Sequence, residues 1–242
     1  MSTATSFDFK SWLRSHPNPK MRNLFVFLKK VRAAGLPTPR FYNKLAYRLI
    51  TLLRMGVETT SRLLIYTPAF KGRVEACGHS LYLYSGLPLV TGPLAITLGN
   101  ECRISGHTTF SARTAPHPDP SIQPTLKVGS NVDIGWQVSI AVAGLVDIQD
   151  NVRIAGRCQL FGYSGHPLNA SERALGAPDE DHRIGNIVLE KDVWLATGVT
   201  VQPGVTIGQG TIVAAGSVVT HDLPANVIAA GSPARVVKQI QQ

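Results

Sequence analysis

Between Ile187 and Val219 apolar residues recur every six positions, at Leu189, Leu195, Val201, Ile207, Val213 and Val219. A second apolar series, Ile187, Val193, Val199 and Val205, runs two residues ahead of the first. Side chains two apart share one face of a strand, so each pair reads as a short strand with one buried face. A constant step of six means that the same strand and turn are repeated. Pro203-Gly204 and Gly208-Gln209-Gly210 fill the turns. The pattern predicts a parallel β-helix built from hexapeptide repeats. An ordinary β-sandwich also alternates apolar and polar positions, but it does not hold a period of six for so long.

The same step appears upstream at Leu98, Ile104 and Phe110, and again at Val128, Ile134, Ile140 and Val146. The register then shifts by two, giving Ile148, Ile154 and Leu160. Residues 111–126 put Pro116 on an apolar site and read as a loop leaving the coil; residues 166–186 read as a second. Gly99-Asn100, Gly129, Gly135 and Asp150-Asn151 fall at turns, where Gly and Asn tolerate positive φ. Before Val74 the period changes. Ser6 to Arg14 suggests a helical turn, broken by His16-Pro17-Asn18-Pro19. Leu24, Phe27, Leu28 and Val31 have helical spacing in a stretch that starts at Lys20 and stops at Gly35. A second helix is predicted from Phe41 to Met55, with Leu45, Leu49, Leu52 and Leu53 inward and Gly56 as its end. Val57 to Tyr66 fits neither period, and Pro68 closes the segment. The chain thus divides into a mainly helical segment, 1–73, and a mainly β repeat body, 74–242.

Charge sharpens that division. The chain of 242 residues carries +9 overall. Residues 1–73 hold 14 Lys and Arg against Asp8 and Glu58, whereas residues 74–242 hold 10 against 13 acidic side chains. A basic helical segment is therefore joined to a mildly acidic body. Two readings of the helices stay open: packing of their apolar faces on the body or a neighbouring subunit, or attachment to an anionic membrane surface. No nucleic-acid-binding motif accompanies the charge, so nucleic acid is not an expected partner. No secretion signal is visible, and no apolar run approaches the ~20 residues of a membrane span. The expected place is the cytoplasm, with peripheral contact at the inner membrane face under the second reading. Cys102 and Cys158 each stand two residues before a principal apolar position, and they read as core fillers in a reducing compartment. Cys77 completes the set, which has no metal-site spacing.

Several stretches together resemble the hexapeptide-repeat O-acetyltransferases, which include galactoside and maltose acetyltransferases and enzymes that acetylate bacterial polysaccharides. They are His166-Pro167-Leu168-Asn169-Ala170-Ser171-Glu172-Arg173, Val193-Trp194-Leu195-Ala196-Thr197-Gly198, and the run Pro203 to Gly208. Ala214-Ala215-Gly216-Ser217-Val218-Val219-Thr220 and Gly231-Ser232-Pro233-Ala234-Arg235 complete them. The resemblance covers about Thr91 to Ile240 and not the helices. It implies a left-handed β-helix, a homotrimer, and sites between subunits that use acetyl-CoA without a metal.

The resemblance makes His166 the catalytic base. A sugar hydroxyl is too weak an acid to attack a thioester unaided, and an imidazole titrating near neutrality can take its proton as the new bond forms. His107 and His182 are lesser candidates. On the donor side the matching positions are Trp194 beside the pantetheine arm, Thr197 and Ala215 along it, and Thr220, Arg235 and Lys238 near the nucleotide, where cations suit phosphate. His221 stands where the family often has lysine. At the acceptor site Gly135 replaces the asparagine of galactoside acetyltransferases and is followed by Trp136 and Gln137, with Arg173 a further acceptor candidate. A simple galactoside is therefore in doubt, and a saccharide or glycolipid of polysaccharide biosynthesis is the broader expectation. Glu180 and Asp181 fall near the family's loop glutamate. The competing readings are a non-catalytic β-helix scaffold and a zinc enzyme of the γ-carbonic anhydrase kind. The latter typically has two histidines five apart, and none are so spaced here.

Overall fold

A computed structural model describes residues 8–241. The chain forms two compact units, Met1–Leu53 and Arg54–Gln242. In the first, α1 (Phe9–Ser15) and α2 (Pro19–Ala33) begin on the side-chain caps of Asp8 and Asn18, which accept the Lys10 and Lys20 N–H groups at 3.1 and 2.9 Å. Pro19 at the start of α2 already has the φ a helix needs, and Leu13 of α1 is buried. The Ser6 end of the predicted first turn lies outside the described residues.

Helix α3 (Arg40–Ser61) is longer than the sequence pattern suggests. It passes through Gly56, continues as a π-helical turn over Arg62–Tyr66, and is followed by α4 (Thr67–Lys71). Gly56 weakens a helix by only about 1 kcal/mol against alanine, too little to end one of this length. Pro68 occupies the first turn of α4, where its missing N–H is no loss, so it starts a helix instead of closing one. Leu45, Leu49, Leu52 and Leu53 are not inward: all four are more than half exposed. The amphipathic pattern holds, but among the described residues no apolar surface of the same unit buries that face.

From Ala76 onward the chain winds into a left-handed parallel β-helix, as the six-residue step predicts. Three sheets, here A, B and C, each take one short strand per coil. Among the described residues there are six coils: 76–91, 95–112, 125–142, 145–161, 187–201 and 206–219. Leu189 pairs with Ile207, Leu195 with Val213 and Val201 with Val219, each eighteen residues on, so three hexapeptides make one coil. The principal apolar positions stack inside as ladders, such as Ile104, Ile134, Ile154, Leu195 and Val213 under sheet B, all at most 2% exposed. Cys102 and Cys158 are fully buried among them. The body closes with a strand at Val227–Gly231 and an antiparallel return at Ala234–Gln239, both on sheet B.

Two details differ from the sequence reading. The first loop is narrower than 111–126, because Ala112 still pairs with Val142 and Leu126 is a fully buried core residue paired with Ile96 and Val146. The turn glycines also have another purpose. Gly99, Gly129 and Gly135 do not take positive φ; that falls to residues such as Asn131, Gln137, Asn151 and Arg157. What these glycines provide is space. A Cβ on Gly99 would sit 2.6 Å from the Gly129 carbonyl carbon, and one on Gly135 would sit 2.8 Å from the Gly156 nitrogen.

Candidate active site

Both excursions leave the coil at the corner between sheets C and A, and this shared corner brings them together. Arg113 opens the first loop and Asp179 lies in the second; their side chains are 4% and 2% exposed. Arg113 Nε donates to Asp179 Oδ1 at 2.9 Å, while Nη2 donates to the Asp179 carbonyl at 2.7 Å and to Asp181 Oδ1 at 2.9 Å. Asp179 Oδ2 in turn accepts the backbone N–H groups of Ser164 at 3.0 Å and Gly165 at 3.2 Å. Burial pushes the Asp179 carboxyl upward, but the Arg113 guanidinium and those N–H groups outweigh it and hold its pKa below the usual carboxylate value.

His166 follows directly on this grip. Its carbonyl accepts the Ser164 hydroxyl at 3.2 Å, and its ring is exposed. On its far side, Glu180 Oε1 accepts the Leu168 N–H at 2.9 Å, a bond that depresses the Glu180 pKa. Consecutive acidic residues, Asp179 and Glu180, thus hold the backbone on the two sides of His166, at Ser164 and Gly165 before it and at Leu168 after it. Helix α5 (Ala170–Ala174) is capped by Asn169, and from it Arg173 donates to the carbonyls of Pro167 at 2.9 Å and Leu168 at 3.0 Å. Arg173 therefore ties the His166 loop to itself. Beside the loop, Tyr163, Ser164, His182, Arg183, Gln202 and Pro203 line a cleft of about 350 Å³. Thr220 lies on the same C–A corner, its hydroxyl 2.8 Å from His221 Nδ1.

The other residues singled out in the sequence lie elsewhere. Thr197 and Ala215 occupy the next corner, between sheets B and C, where the Gly216 N–H donates to the Thr197 carbonyl at 2.9 Å. Gly135, Trp136 and Gln137 occupy that same corner two coils earlier. Trp194 is 48% exposed on the outer face of sheet B, paired with Arg153 on one side and Ile212 on the other. That row continues through Ile228 to Lys238, with Arg235 exposed on the closing strand. One chain thus presents two outward sets. His166 and Thr220 sit on the C–A corner; Trp194, Thr197, Ala215 and the Trp136 turn sit on sheet B and the B–C corner.

Sequence reasoning missed Arg113, Asp179 and Arg157. Arg113 and Asp179 lie in the two segments that break the repeat, where the periodic signal is silent. Arg157 falls on a turn position that the repeat leaves variable. Among the described residues no group of three His, Cys, Asp or Glu side chains could hold a metal ion.

Residues 186–221 match the bacterial transferase hexapeptide (six repeats) family. The galactoside O-acetyltransferase of Escherichia coli K12 is 38% identical over 118 residues, which is 46% of this chain and 56% of that protein. The galactoside O-acetyltransferase of Lactococcus lactis is 35% identical over 118 residues, 46% of this chain and 55% of that protein. The chain thus spans a little over half the length of these curated relatives. Among solved structures, AntD, an N-acyltransferase from Bacillus cereus in complex with dTDP and coenzyme A, superposes with a TM-score of 0.58. That match has 19% identity and covers 72% of this chain and 89% of AntD, a likeness of fold. In its repeats, its coil and these relatives, the chain is similar to hexapeptide-repeat left-handed β-helix proteins, and the curated relatives named here are acetyltransferases.

Proposed function

We propose that the protein is an O-acetyltransferase that moves an acetyl group from acetyl-CoA to a hydroxyl of a saccharide or glycolipid, with polysaccharide modification as its setting. The observation that carries this reading is the separation of its motif residues into two exposed sets on adjacent corners of one prism. His166 and Thr220 belong to one, and Trp194, Thr197 and Ala215 to the other. A homotrimer would bring the first set of one copy against the second set of the next, and each of the three interfaces would then hold one complete site.

In that site the His166 imidazole removes the proton of the attacking hydroxyl as its oxygen bonds to the thioester carbonyl carbon. The carbonyl oxygen gains negative charge, which backbone N–H groups of a coil turn can stabilise. When the tetrahedral centre collapses, the C–S bond breaks and the imidazolium returns the proton to the departing sulfur. The grip of Asp179 and Glu180 on either side of His166 suits this task, since a base held in place pays less entropy at the moment of reaction. Trp194 would lie along the pantetheine arm, with Arg235 and Lys238 near the nucleotide phosphates. We place the enzyme in the cytoplasm, with its basic helices at the inner membrane face if the acceptor is lipid-linked.

The test is incubation with acetyl-CoA and a panel of saccharide acceptors, following free thiol release. His166→Ala is expected to lower kcat by roughly 10²–10⁴ while CoA binding stays nearly intact. A variant that keeps more than about half the activity would remove His166 from the mechanism.

A further inference from the structure

On the B–C corner the Arg157 guanidinium lies over the Trp136 ring, 5.5 Å from its centroid. His107 meets the same ring edge-on at 6.2 Å. The Arg157 N–H donates to the Trp136 carbonyl at 2.8 Å, so coil stacking keeps the two residues in register. Trp136 is 42% exposed. A cleft of about 490 Å³ opens here, lined by His107, Thr109, Gln137, Ser139, Arg157 and Gln159, with no carboxylate in its wall.

Arg157 also differs from Arg103 and Arg153 of the outer surface, whose guanidinium groups have side-chain partners. Arg103 pairs with Asp133 at 3.2 Å, and Arg153 Nη2 bonds Asn131 Oδ1 at 3.1 Å. Among the described residues Arg157 has no acidic partner. Its backbone is unusual as well. Gln137 and Arg157 have φ of 57° and 64° at the corner position where the later coils carry Gly198 and Gly216, at 73° and 69°. A left-handed backbone is costly for such side chains and nearly free for glycine. The chain thus keeps an amide and an unpaired guanidinium where glycine would be easier.

We infer that this corner is a subsite for a saccharide that bears an oxyanion, either phosphate or carboxylate. This rests on the acyltransferase reading and narrows its acceptor. Trp136 offers a flat apolar platform to one face of the sugar ring. Arg157, whose planar guanidinium lies 5.5 Å from the centre of that ring, presents its donors to the oxyanion. Gln137, Thr109 and Ser139 supply hydrogen bonds to hydroxyls. The same corner runs on to Thr197 and Ala215 in the following two coils, so the sugar would lie alongside the acyl donor.

The test is calorimetric titration of the full-length protein at low salt with glucose 1-phosphate, glucuronate and methyl α-glucoside, and of CoA in parallel. At least one anionic sugar should bind about tenfold or more tightly than the neutral glycoside. Arg157→Gln should abolish that preference, Arg157→Lys should keep part of it, and Trp136→Ala should weaken all three sugars. Equal affinity for the three sugars overturns the inference. So does a preference that survives Arg157→Gln, or no binding of either anion at roughly 20 mM. If CoA binds while the sugars fail to discriminate, only the subsite is wrong. If CoA does not bind, the acyltransferase reading itself has failed.

Discussion

At the scale of single residues, the buried pair of Arg113 and Asp179 carries the most consequence for its size. Two charges removed from water persist only if each is paired and hydrogen-bonded. Asp179 meets that demand through Arg113 on one oxygen and the Ser164 and Gly165 N–H groups on the other. Removing one partner of a buried pair commonly costs 3–5 kcal/mol. Because Arg113 would keep Asp181 and the Pro116 carbonyl, we expect Asp179→Asn to cost about 3 kcal/mol. The variant should lose kcat with little change in KM for acetyl-CoA, since the backbone holding His166 loosens while the donor corner is untouched. The sign of the pH dependence follows from the depressed Asp179 pKa. Its stabilisation is fully present above the unfolded carboxylate value near about 3.9 and is lost as pH falls through the lower folded value. Urea unfolding of both proteins from about pH 7 to pH 2 should therefore show their stabilities converging in acid. A constant gap across that range would mean that the carboxylate charge contributes nothing.

At the scale of elements, the helices and the coil obey different rules. Strand positions in the coil are set by stacking, so a strict six-residue step leaves almost no freedom: Leu195 must lie between Ile154 and Val213. Helix α3 has no such constraint. Its length is settled by propensity and by where Pro68 can be tolerated, which is why it overruns Gly56. It leaves Phe41, Tyr47, Leu49 and Ile50 at least half exposed beside Lys44, Arg48 and Arg54. Apolar and aromatic side chains interleaved with cations suit an anionic lipid surface, where each basic residue is worth about 1 kcal/mol and salt screens it. The full-length protein should therefore co-sediment with vesicles containing anionic lipid at low salt and be released at high salt. If it stays in the supernatant at low salt, the exposed faces serve packing between copies instead. No helix among the described residues is long and apolar enough to cross a membrane.

At the scale of the whole molecule, the prism geometry separates what the proposed reaction must combine. Sheets A, B and C meet at three corners, with His166 rooted on one and Thr197 and Ala215 on another. Static light scattering should thus give about three times the 26.1 kDa chain mass. A stricter test mixes two inactive variants. His166→Ala and Trp194→Ala subunits, unfolded together and refolded as mixed trimers, should regain part of the activity, because some interfaces then pair an intact His166 with an intact Trp194. Mixtures that remain as inactive as either parent would place both residues in one chain's site.

The sequence by itself determined the repeat. The six-residue step, the buried cysteines at 102 and 158, and the position of the His166 loop follow from local alternation, and local alternation is what a stacked coil preserves. It also carried the acidic body and the basic helices as plain sums of charge. Only the tertiary structure decided which residues meet. Arg113 and Asp179 stand 66 positions apart in two stretches without a period, and they join because both loops leave from one corner. Arg157 gains its meaning only when the coil beneath sets Trp136 under it. Gly99 and Gly135 look in sequence like turn residues chosen for their φ, yet they are small because another coil's backbone passes within van der Waals distance. Contacts between coils are set by three-dimensional stacking, and no local pattern in the chain encodes the partner.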